Sequence, residues 1–176
     1  PKCFGGGVSS YADALEMFEA GADKISINSL AFDDPIACKE IISMYGSQSI
    51  VASIDYKSVD QNDIVYKSNG FISTGIHLSE YVNFLNTLGF GEILLNSIDR
   101  DGTGFGYDLE KVISISDIST SPIIAWGGAG NKDHFHAGLL VENVAAVATA
   151  NLFNFMGDAQ GISRDHLIEK KINLAK

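Results

Sequence analysis

Four short apolar runs in this chain each end in a tip of glycines or charged side chains. Cys3-Phe4 leads into Gly5-Gly6-Gly7, and Ile50-Val51-Ala52-Ser53-Ile54 leads into Asp55. Leu94-Leu95-Asn96-Ser97-Ile98 leads into Asp99-Arg100-Asp101-Gly102-Thr103, and Pro122-Ile123-Ile124-Ala125-Trp126 into Gly127-Gly128-Ala129-Gly130. Near-continuous apolar runs suit parallel strands covered by helices, and the loops that follow such strands carry the chemistry of α/β barrels. Several polar tips delivered to one rim describe a barrel enzyme better than a binding module.

Helix patterns alternate with these strands. Ser10-Tyr11-Ala12-Asp13 fits a capping box, and the helix it opens runs to Ala20-Gly21. Lys24 to Asn28 reads as a strand, and Asp34-Pro35 opens a helix with proline at a favourable first position, ending near Tyr45-Gly46. Ser49 to Asp55 is a strand. Asn62 to Ile72 is a small hairpin turning at Ser68-Asn69-Gly70. Leu78 to Leu88 is a helix with Tyr81, Phe84, Leu85 and Leu88 on one face. Glu92 to Asn96 is a strand, and Asp108 caps a short helix to about Ile115. Pro122 to Trp126 is a strand, Lys132 to Leu140 a helix, Val144 to Ala150 a strand, and a last helix lies near Arg164 to Lys171.

This is six strand–helix units at a pitch of about 29 residues, which is that of a (β/α)8 TIM barrel. The expected fold is therefore a single incomplete α/β barrel domain over residues 1–176, holding about six of eight units. A weak internal repeat relates Gly6-Gly7 to Gly127-Gly128. Each pair ends a strand, and each is followed by a helix, an apolar strand and a small polar tip. Taken as half-barrels, the copies place the chain at the third to eighth units, with about two units expected before Pro1. Pro1-Lys2-Cys3 enters a strand with no initiator Met, so Pro1 is not expected to be the natural N-terminus. The alternative is a complete six-unit open α/β sheet.

The net charge of −10 argues against a general nucleic-acid or anionic-membrane surface. It leaves room for a small phosphorylated ligand, because glycine loops bind phosphate through backbone N–H groups. Cys3 and Cys38 form no framework, so a reducing, cytoplasmic compartment is expected. No apolar run approaches the length of a membrane span.

The motifs Phe4-Gly5-Gly6-Gly7, Gly21-Ala22-Asp23-Lys24-Ile25-Ser26-Ile27-Asn28, Gly46-Ser47-Gln48, Ser53-Ile54-Asp55-Tyr56-Lys57, the 91–103 block and Gly127-Gly128-Ala129-Gly130 together resemble the cyclase subunit of imidazole glycerol phosphate synthase. The resemblance runs from Gly5 to about Leu167. It implies a two-fold repeated (β/α)8 barrel that joins ammonia, made by a partner glutaminase in a heterodimer, to a phosphorylated substrate in histidine biosynthesis. It implies no cofactor, and a second catalytic aspartate in a first quarter that this sequence does not contain.

Asp55, one step past a buried strand, is placed to exchange a proton with a substrate in the barrel mouth. The competing reading is a helix cap or a solvated loop acid. The resemblance makes Asp55 one of two acid–base residues. Asp101 and Gly102 are expected to contact substrate, with Asp99 an anchor. Gly7, Asn28 and Ser29 match a first phosphate site, and Gly127, Gly128 and Asn151 a second, with Asn96 beside it. Lys24 and Glu92 start their strands on the opposite rim. As lone charges they would be solvated strand ends, while the resemblance places them in a ring that admits ammonia and turns Asp23 and Gln48 toward the glutaminase. No metal is expected. The Asp99-Arg100-Asp101-Gly102 run lacks the later glutamate of a calcium loop, and His134-Phe135-His136 has no carboxylate or Cys at ligand spacing.

The sequence departs from the family at the second phosphate site. Trp126 and Asn151 stand where the family usually has Ser, and Asn96 where it has Thr. These changes resemble a paralogous branch that works with its own amidotransferase to place nitrogen on a surface-polysaccharide sugar. The histidine-pathway enzyme, that paralogue, a non-catalytic partner-binding remnant and another phosphate-binding barrel such as a sugar-phosphate isomerase remain open on sequence alone.

Overall fold

The computed structural model describes residues 2–150, 152 and 157–175. Six parallel strands form its sheet: β1 (Cys3–Gly5), β2 (Lys24–Ile27), β3 (Ile50–Val59), β6 (Glu92–Ser97), β7 (Ile123–Trp126) and β8 (Val144–Val147). Each pairs with the next along the chain, in the order β1-β2-β3-β6-β7-β8. A doubly wound sheet reverses its strand order at a switch point, and this one never does. The curled, monotonic sheet is that of a partial barrel.

β4 (Asn62–Lys67) and β5 (Ile72–His77) form the expected hairpin, with its turn at Ser68 and Asn69, both at positive φ. The hairpin also pairs with β3, which therefore runs past Asp55 to Val59. Asp55 thus lies within a strand rather than one step beyond it. Antiparallel pairing with β4, from Asp55↔Tyr66 to Val59↔Asn62, supplies hydrogen bonds that a lone parallel strand end would lack.

Helices α1 (Tyr11–Glu19), α3 (Pro35–Tyr45), α4 (Leu78–Leu88), α5 (Leu109–Ser116), α6 (Lys132–Leu139) and α7 (Ala159–Glu169) alternate with the strands, and a short α2 (Ser29–Asp33) follows β2. Ser10, Asp34, Asp108, Asn131 and Asp158 each cap a helix by accepting a backbone N–H. In α4 the residues Leu78, Tyr81, Val82, Leu85 and Leu88 are buried, while Phe84 is 37% exposed. At 100° per residue Phe84 falls on the edge of the buried arc. β8 is shorter than expected, and α7 starts before Arg164.

Strand alternation divides the sheet into two faces. Ile25, Ile27, Ala52, Ile54, Ile93, Leu95, Ile123 and Ala125 are all buried in the core cluster shared with the helices. The intervening Ser26, Asn28, Ser53, Asp55, Leu94, Asn96 and Trp126 line a cavity on the other, concave side. The apolar runs thus hide a polar stripe, which the alternation turns toward the barrel lumen.

Candidate active site

Asp55 is gripped from both sides in the sheet. Its Oδ1 accepts from Asn96 Nδ2 at 2.7 Å, and its Oδ2 accepts from Asn28 Nδ2 at 3.2 Å. The register Asp55↔Asn96 places these two side chains next to each other on one face. Asn28, at the end of β2, also donates to the Ser53 carbonyl at 3.1 Å, which fixes its amide. Burial pushes the Asp55 carboxyl above the usual carboxylate range. The Asn96 hydrogen bond pulls it down, the Asp101 charge raises it further, and the Asn28 bond pulls it down again. A half-buried carboxylate that holds its proton more tightly than usual and faces an open cavity is placed to exchange that proton with a ligand.

That cavity holds about 800 Å³. Gly5, Gly6 and Gly7 form one wall, Asn28 and Ser29 another, and Asp55 with Asn96 lie between. Gly6 and Gly7 have φ of +100° and +78°, and a Cβ on either would meet no atom within 4 Å. The Gly7 and Val8 amides make no hydrogen bond among the described residues. This first glycine loop therefore presents free N–H donors to open space, as an anion site requires. Ser68 and Asn69 also line the cavity, at the hairpin turn. The Ser68 N–H donates to Ser29 Oγ at 3.2 Å, and Lys67 pairs with Asp33 at 2.5 Å, so the turn docks over α2. Sequence reasoning identified this turn but did not bring it to the site. Only the αL-prone Ser-Asn-Gly signal marked it, and such a signal says nothing of what a turn touches.

The second glycine loop is built differently. Gly127 and Gly128 have φ of +91° and +102°, and a Cβ on Gly128 would collide with the Gly106 carbonyl. The Gly106 N–H donates to the Gly128 carbonyl at 2.7 Å. The Gly130 N–H donates to His134 Nδ1 at 3.0 Å. Here the glycines allow two loops to touch and the Gly130 donor is used, while the Gly128 and Ala129 amides, like those of Gly7 and Val8, make no hydrogen bond among the described residues. A smaller cavity of about 270 Å³ lies beside it, lined by Asp101, Gly102 and Gly128 among others. Trp126 projects from β7 on the lumen face beside Asn96 and borders both cavities, the smaller one together with Gly128 and Gly130. Asn151 lies outside the described residues. With inorganic phosphate soaked into crystals, density is expected at Gly7 and Ser29 first. Stronger density at Gly128 than at Gly7 would contradict the crowding of the second loop by the Gly106 loop.

On the opposite rim Lys24 Nζ pairs with Glu92 Oε2 at 2.6 Å, bridging strands that both flank β3. Asp23 accepts the Lys2 N–H at 2.7 Å, and Gln48 is exposed at the same end. Asp99 accepts the Ser58 N–H at 2.8 Å, tying the β6 loop to the end of β3. Asp101 is exposed and lines both cavities. Among the described residues no group of three or more His, Cys, Asp and Glu side chains could hold a metal ion.

The histidine biosynthesis protein family matches residues 1–158. The chain belongs to this family. Over 165 residues it is 45% identical to a protein of Parasynechococcus marenigrum named "Putative imidazole glycerol phosphate synthase subunit hisF2", covering 94% of this chain and 61% of that one. It is 39% identical over 172 residues to the imidazole glycerol phosphate synthase subunit HisF of Chlorobaculum parvum, covering 98% and 68%. It is 43% identical over 155 residues to the HisF subunit of a Thermotoga species, covering 88% and 61%. The chain thus spans about six to seven tenths of the length of these relatives. These identities make it a HisF-family chain. Among the described residues of this HisF-family chain no helix is long and apolar enough to cross a membrane.

Proposed function

We propose that this chain carries the active rim of an imidazole glycerol phosphate synthase cyclase subunit, which takes ammonia from a partner glutaminase and joins it to a phosphorylated substrate. The observation that carries the reading is Asp55, held by Asn28 and Asn96 in the floor of the larger cavity, beside a glycine loop with free N–H donors. Ammonia attacking an electrophilic carbon must lose a proton, and the oxygen that departs must gain one. Asp55 is the group placed to do either. Gly7, Asn28 and Ser29 hold one phosphate of the substrate. Asp101 and Gly102 contact its middle, and Gly127, Gly128 and Asn151 take the other end. The six parallel strands correspond to the third to eighth units of the barrel.

Lys24 and Glu92 form the ammonia gate in this reading, with Asp23 and Gln48 turned toward the glutaminase. The test is made in the protein that carries this chain, together with its glutaminase partner. Glu92→Gln is expected to lower turnover with glutamine by about 10-fold or more, while turnover with added ammonium salt changes little. Equal losses with both nitrogen sources would remove the gate and leave Asp55 untouched.

A second reading is amination of a surface-polysaccharide sugar by the paralogous branch. It is favoured by the indole of Trp126 on the lumen face and by Asn96, whose Oδ1 is buried and unpaired. A hydroxylated ring could stack on the first and donate to the second.

A further inference from the structure

Two residues line both cavities at the strand ends, Asp101 and Trp126. Trp126 is the last residue of β7, and its register with Asn96 turns its side chain into the lumen. The indole Nε1–H is shut off from solvent and makes no hydrogen bond among the described residues. Native proteins rarely leave a buried donor without an acceptor, because the desolvation cost is not recovered. Phenylalanine would fill the same space without that cost. The orphaned donor therefore marks a ring position that some other arrangement of the site satisfies better. The smaller cavity is lined by the second glycine loop and the larger by the first, and each loop has amides that make no hydrogen bond among the described residues.

We propose that Trp126 is a specificity-determining partition between the two cavities, turned aside only by a ligand long enough to carry an anionic group into each. When the ring turns, its N–H becomes available to an oxygen on that ligand. The inference rests on the reading of the cavities as a substrate site and adds the rule by which the site measures length. A ligand moves the ring only through a difference in its affinity for the two ring positions. A ligand with one phosphate fits the larger cavity with the ring in either place and exerts no such pull. A ligand with a phosphate at each end fits only when the way through is open. The acidic Asp101 beside the ring discourages a lone anion from crossing.

Trp126 is the only tryptophan in this chain, and the difference in emission between the wild type and Trp126→Phe isolates its ring in the longer protein. The probes are fructose 1,6-bisphosphate and fructose 6-phosphate, which differ by one phosphate, with binding of each followed by calorimetry and fluorescence in the protein that carries this chain. The bisphosphate is expected to shift the emission saturably, and the monophosphate to bind without shifting it. Trp126→Ala removes the partition. It should tighten bisphosphate binding by about tenfold and leave the monophosphate within about twofold. Equal emission shifts from both ligands, or an unchanged affinity ratio in Trp126→Ala, would overturn the partition and leave the site reading intact. Where Trp126→Ala folds poorly, the emission difference between the wild type and Trp126→Phe decides the matter. Failure of both probes to bind would overturn the site reading and the partition with it.

Discussion

Asp55→Asn, in the protein that carries this chain, is expected to keep its fold and its substrate binding while losing turnover by at least about 10²-fold, the low end for an acid–base group. The geometry explains why the fold survives. Asp55 receives two amide donors, from Asn28 and Asn96. An Asn at 55 can keep the Asn28 bond through its own oxygen. Its amide then needs an acceptor, and Asn96 has one to offer, because its Oδ1 is buried without a partner. A flip of the Asn96 side chain restores the pair. What cannot be restored is the exchangeable proton. Near-wild-type turnover in steady-state assays would remove Asp55 from the acid–base role.

The same variant has a signature in stability against pH. Burial raises the Asp55 pKa in the folded state, so the native protein binds this proton more tightly than the unfolded chain does. The group therefore favours folding below the unfolded carboxylate value of about 3.9, and that contribution is lost as pH rises through the folded value. Above the folded value the ionised, half-buried carboxylate weighs against the fold. Asp55→Asn should flatten the denaturation midpoint in that window and leave the variant no less stable near neutral pH. A variant losing stability only as pH rises would contradict the direction of the shift.

Gly128→Ala is expected to destabilise the protein by about 3 kcal/mol, near the upper end for single substitutions. Gly6→Ala, at almost the same positive φ, should cost only about 1 kcal/mol. Both residues adopt backbone angles that disfavour a side chain, with φ of +102° and +100°. The difference lies in what a methyl group would meet. At Gly6 it enters open space, whereas at Gly128 it strikes the Gly106 carbonyl in the loop that carries Asp101. Gly128 itself accepts a hydrogen bond from Gly106, so the two loops cannot simply part. Urea denaturation of both variants would measure the contrast, and equal costs would show that the loop contact yields.

The two glycine loops share a Gly-Gly pair in the sequence, and the second departs from the family pattern at Trp126 and Asn151. They diverge in the structure because a Gly-Gly pair records only that the backbone takes positive φ. It does not record whether the freed space faces a ligand or another loop. Asp55 shows the same limit. Its apolar run, its carboxylate and its place near a strand end were legible, since a buried strand leaves a local pattern of residues. That β3 continues to Val59 was not, because its extension depends on pairing with a hairpin whose strands carry no mark of their partner. The docking of the Ser68-Asn69 turn over Ser29 and the place of Trp126 between two cavities are likewise contacts between segments far apart in the chain. By itself the sequence determined the alternation of strands and helices, most helix caps, the polar rim and the family, because each is written in neighbouring residues or in motifs of fixed spacing. The tertiary structure alone decided which glycine loop is pressed against a neighbouring loop, which amides hold Asp55, and that Trp126 borders both cavities. Those outcomes depend on strand register and on the curl of the sheet, which bring distant side chains to one face.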